Sequence, residues 1–100
     1  MGAVKLGIVL STHRDLATAV ALAHAARRAR HIVVMFAMDA GCTALAEDPG
    51  AATALVDDDC AITVCSNSAV GLELVDGIER GSQDDHAAVL ATCDRVIALT

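Results

Sequence analysis

A chain of 100 residues with 13 Asp and Glu against 7 Lys and Arg carries a formal charge of −6, which argues against nucleic acid or an anionic membrane surface as its main partner. It is 55% hydrophobic but 1% aromatic, so its core must be built from Ala, Val, Leu and Ile, and it has no Trp or Tyr on which a base could stack. The length suits a single domain with one core, and burial is limited enough that association between subunits would help.

Val4–Leu10 (VKLGIVL) reads as a first strand that breaks into the polar loop Ser11–Asp15. Thr12 and Asp15 have capping-box spacing, and the alanine-rich run Leu16–Ala29 continues as a helix, with Arg27, Arg28 and Arg30 complementing its dipole. His31–Met38 (HIVVMFAM) is nearly all apolar, as in a central strand of a parallel sheet, and ends in the turn Asp39–Cys42. A helical region runs to about Val56, interrupted at Asp48-Pro49-Gly50, and Asp57–Asp59 closes it as a solvated acidic turn.

Ala61–Val64 is a short buried strand that hands over at Cys65 to Ser66, Asn67 and Ser68, all good helix caps, so a helix is expected from there to about Val75. Asp76–Ser82 reads as a short extended piece, Asp85–Thr92 as a last helix capped by Ser82 or Asp84, and Arg95–Leu99 as a final strand. Strands alternating with helices define an α/β fold, a three-layer α/β/α sandwich on a mostly parallel sheet of four to five strands.

The polar junctions Ser11–Asp15, Asp39–Cys42 and Cys65–Ser68 should meet on the carboxyl edge of that sheet, where such folds place ligands. Cys65, at the end of a strand and the mouth of a helix, is positioned for a depressed thiol pKa. The neighbouring junctions offer His13, Asp39 and Cys42 as further binding residues beside Ser66, Asn67 and Ser68, with His13 the nearest candidate to share a proton with the thiol.

Other chemistries fit less well. The only lysine, Lys5, lies inside the first strand, against a receiver site, and no G-x-G-x-x-G is present for a dinucleotide. No arginine follows Cys65 closely to hold an oxyanion, and Cys60 and Cys65 are too far apart for a thioredoxin motif. Cys42, Cys65 and His13 lack the paired spacing of a zinc site, and no metal or cofactor is expected. Peroxide sensing lacks a well-placed resolving cysteine. With no leader or membrane span legible at the amino terminus, the chain reads as cytoplasmic. A single thiol used as a nucleophile or sulfur carrier remains. The alternative is a non-catalytic oligomeric module in which the same edge binds a small anion or a partner and Cys65 is packing.

The chain resembles the DsrE/DsrF-like (TusD/YchN-type) sulfur-relay family along almost its whole length. GIVLSTHRDLATAVALAHAA is similar to the family's opening strand, loop and helix, and VVMFAMDAG to its second strand and turn. TVCSNSAVG occupies the place of its active-site cysteine loop, and GIERGSQDDHAAVLATCDRVIAL is similar to its closing turn, helix and strand. The resemblance implies an α/β/α fold in homo- or hetero-oligomers, often trimers or hexamers. It also implies that Cys65 takes sulfur from a donor protein as a persulfide and passes it to an acceptor protein.

Overall fold

A computed structural model describes residues 2–100. Five parallel strands, β1 (Lys5–Leu10), β2 (Ile32–Ala37), β3 (Ala61–Cys65), β4 (Ile78–Gly81) and β5 (Arg95–Leu99), lie in the order β4-β3-β2-β1-β5. The helices are α1 (Leu16–Arg28), α2 (Ala40–Glu47), α3 (Pro49–Asp57) and α4 (Gln83–Thr92). This is the α/β sandwich expected from the alternating pattern, at the upper end of the expected strand count.

The topology explains which helix covers which face. From β1 to β3 the chain steps in one direction, with α1, α2 and α3 over Ile8, Leu10, Met35, Ile62 and Val64. From β4 it must return across the sheet to β5. Because crossovers between parallel strands keep one hand, reversing direction puts the connecting helix on the opposite face. There α4 packs Val89 against Val9, Phe36 and Cys65. Gly7 permits that approach, since a Cβ on it would stand 2.7 Å from Val89 Cγ1 and 3.0 Å from Cys93 Sγ. On the other face Gly41 lets α2 begin against the Leu10 carbonyl, where any side chain would collide with the backbone.

Local signals set most element ends. The Asp48 carboxylate accepts from the Ala51 amide and Pro49 opens α3, so the predicted interruption is a restart between two helices. Ser82 caps α4 in a full capping box with Asp85, and the helix starts at Gln83, two residues before the expected position. Arg27, in the last turn of α1, also ties that turn to the residue before β2 and the residue after α3 by donating to the His31 and Asp58 carbonyls.

One expected element is absent: Ser66–Val75 forms no helix. After Cys65 the backbone makes successive tight turns, with Ala69 N–H donating to the Cys65 carbonyl and Leu72 N–H to that of Ala69. Gly71 adopts φ +77°, which breaks any helical run. Arg80 takes up carbonyls that a helix would have used, donating to Ala69 O at 2.9 Å and to Leu72 O at 2.7 Å. Among the described residues no helix is long and apolar enough to cross a membrane.

Candidate functional site

The sheet's direction reverses between β1 and β5, where open α/β folds usually leave a ligand crevice. Here the Ser11 amide donates to the Leu99 carbonyl at 3.0 Å and ties those two strands together at their ends. The cleft lies instead over β3 and β4, on the same carboxyl edge. It encloses about 410 Å³ and is lined by Cys65, Ser66, Asn67, Gly81, Ser82, Gln83 and Asp85. It exists because β3 joins β4 through turns rather than a covering helix, while α4 starts immediately after β4.

Cys65 ends β3 on its α4 face and is 6% exposed. Its thiol pKa is lowered. The main cause is the backbone N–H of Ser68, aided by the Ser68 hydroxyl, the Gln83 amide and the Asn67 N–H, while burial opposes them. The donors win because several N–H groups and a hydroxyl act together on one sulfur, each favouring its charged form, and together they outweigh the loss of water on burial. Helix-mouth chemistry is thus supplied without a helix: successive amides of a tight turn converge on one atom.

The other thiols are not equivalent. Cys42 is fully buried in the core on the opposite face of the sheet, donates its S–H to the Ala37 carbonyl at 3.4 Å, and is pushed up to about 11 by burial. Cys60 precedes β3 at its amino end and is likewise held at about 11, by burial and then by the nearby Asp58 charge. Cys93 precedes β5 and packs beside Gly7, also toward the amino ends of the strands. All four thiols are free.

Of the residues named from sequence, Ser66, Asn67 and Ser68 stand around the Cys65 thiol, and the others are elsewhere. His13 is not its proton partner. It sits on the loop after β1, two strands away, with its side chain 60% exposed and Nε2 3.4 Å from Glu47 Oε2 of α2. It lines a separate groove with Leu16, Val20 and Asp48. Asp39 is exposed at the start of α2 with a positive φ of 51°, and its side chain makes no capping bond. Cys42 lies across the sheet.

Four residues not singled out from sequence gather at or behind Cys65: Gln83, Met38, His86 and Phe36. Gln83 Nε2 lies 3.7 Å from Cys65 Sγ and 3.8 Å from Met38 Sδ. Gln83 Oε1 lies 3.1 Å from His86 Nδ1. The His86 ring stacks on Phe36 with centroids 5.2 Å apart and planes 6° from parallel. The available signal was the Ser82–Asp85 capping spacing, which places the first turn of the last helix beside the edge that carries Cys65. Among the described residues no three His, Cys, Asp or Glu side chains converge as metal ligands.

The fold and the edge cysteine define a class: a parallel five-stranded α/β protein with an acidified thiol on the carboxyl side of its sheet. No family model and no curated protein sequence matches the chain. Among solved structures it is similar to the ychN protein from E. coli, with a TM-score of 0.76 at 19% identity, over 95% of this chain and 98% of the other. That likeness extends over the whole fold, so the two chains share one architecture.

Proposed function

We propose that the chain is a small sulfur carrier that holds sulfur as a persulfide on Cys65. The reading is carried by one observation, an acidified thiol facing an open cleft while two of its three fellow thiols are buried and held protonated. The Cys65 thiolate attacks the outer sulfur of a donor persulfide, the sulfur–sulfur bond breaks, and the donor leaves as a thiolate. An acceptor thiolate then attacks the outer sulfur on Cys65, which leaves in turn, so neither step needs an oxidant or a reductant. Exchange of this kind favours an attacking thiol ionised near ambient pH, and a good leaving thiolate as well.

The cleft also selects donors. It is lined by the Asp85 carboxylate and by no Lys or Arg, and the adjacent Arg80 is turned to two carbonyls. A small anion such as thiosulfate therefore finds no cation to hold it, which favours persulfides borne on other proteins in the cytoplasm. The family resemblance of its motifs implies assembly into trimers or hexamers, which is part of this proposal.

Incubating the chain with a protein persulfide and reading its intact mass should show one added sulfur atom, mapped to Cys65 and absent in Cys65→Ser. Thiosulfate in place of the persulfide should add none. No adduct, or adducts spread over the four cysteines, would instead favour a non-catalytic binding module.

A further inference from the structure

The Gln83 amide is fixed at both ends. A thioether carries no hydrogen, so only the NH2 end of the amide can satisfy Met38, and that same nitrogen faces Cys65 Sγ. The carbonyl end then needs a donor. His86, one turn along α4, supplies it from Nδ1, which fixes the tautomer at that nitrogen. The ring cannot swing away freely because it lies flat on Phe36, itself fully buried in β2. The turn bearing both residues is pinned by the Ser82–Asp85 capping box.

Resting on the reading of Cys65 as the sulfur-bearing nucleophile, we propose that Gln83 and His86 are its positioning residues. His86 holds the Gln83 amide in the one orientation that presents N–H to the sulfur. That N–H stabilises the thiolate when Cys65 attacks and again when it leaves. Backbone donors from Asn67 and Ser68 have a fixed polarity, whereas a side-chain amide can turn over. Without the His86 bond, the Gln83 carbonyl can face the sulfur and oppose its negative charge. The other ionisable groups around the thiol are few. Asp85 of α4 lines the same cleft, Cys42 of α2 lies across the sheet, and Arg80 of β4 is engaged by the carbonyls of Ala69 and Leu72.

The test reads Cys65 directly in the full chain, as the rate of iodoacetamide alkylation against pH with the adduct assigned by peptide mass spectrometry. Gln83→Met keeps the length of the side chain and removes the amide. His86→Phe keeps a ring on Phe36 and removes the N–H. Each should lower the thiolate fraction near neutral pH by about threefold to tenfold, half to one unit of apparent pKa. The double variant should match Gln83→Met alone, because the histidine acts only through the amide. An unshifted profile in either single variant, or effects that add in the double, overturns the proposal. The measurement needs no persulfide, so the pair can stand or fall whether or not Cys65 loads sulfur.

Discussion

Cys65 is drawn toward the thiolate by converging N–H groups, whereas Cys42 and Cys60 are held protonated at about 11 by burial. The buried pair carries a consequence for stability. In the unfolded chain those two thiols ionise near 8.5, so between that pH and about 11 the unfolded state holds fewer protons than the folded one. Stability must therefore fall as pH rises through that window, by roughly 2–3 kcal/mol per thiol at its upper end. Cys65 has the opposite sign: its contribution is present above the unfolded value and is lost as pH falls through its own lowered one. Urea midpoints at about pH 8 and about pH 10.5 should drop in the native chain and drop less in Cys42→Ala/Cys60→Ala. At Asp39 the backbone holds φ 51° and ψ −132°, a region costly for any residue with a Cβ. Asp39→Gly should raise stability by about 1 kcal/mol in the same assay, since its side chain makes no cap to lose.

The turn after Cys65 is where local preference and tertiary structure part company. Ser66, Asn67 and Ser68 are good helix caps, and nothing nearby in sequence except Gly71 speaks against a helix. Arg80 decides the matter from β4, eleven residues beyond Ala69, by binding the carbonyls of Ala69 and Leu72. Arg80→Met should loosen the turn, raise the apparent pKa of Cys65 by about half to one unit, and speed hydrogen exchange at Asn67 and Ser68. An unshifted Cys65 would mean that the amides hold their place without the guanidinium.

The alternating pattern made the strands and most helices legible, because apolar runs and Pro or Ser punctuation are local signals. The thiol at the end of β3 was legible for the same reason. The Gln83–His86 contact was not, since it depends on α4 crossing back over the sheet to lay its first turn beside β3. His13 misled for a related reason: residues can share a sheet edge and still stand two strands apart, facing another helix.

The two faces of the sheet are unequally covered, three helices against one. α4 buries only Val89, while Leu90 is 55% exposed and Ile32, on the same side of the sheet, is 54% exposed. If the proposed assembly uses this side, sedimentation should show species of three or six chains, and Leu90→Glu should shift them to lighter ones by weakening the contact about tenfold or more. A single light species for both proteins at all concentrations would refute the assembly.

The sheet itself stands between Cys65 and Cys42, and Cys60 and Cys93 sit toward the opposite ends of the strands. Of these thiols only Cys42 is close enough to feel the Cys65 charge, and burial holds it protonated at about 11, so it is a poor nucleophile for closing an internal disulfide on a loaded Cys65 and expelling hydrogen sulfide. Cargo placed on it leaks only when an outside molecule comes to collect, so the lifetime of the charged form is set by its visitors.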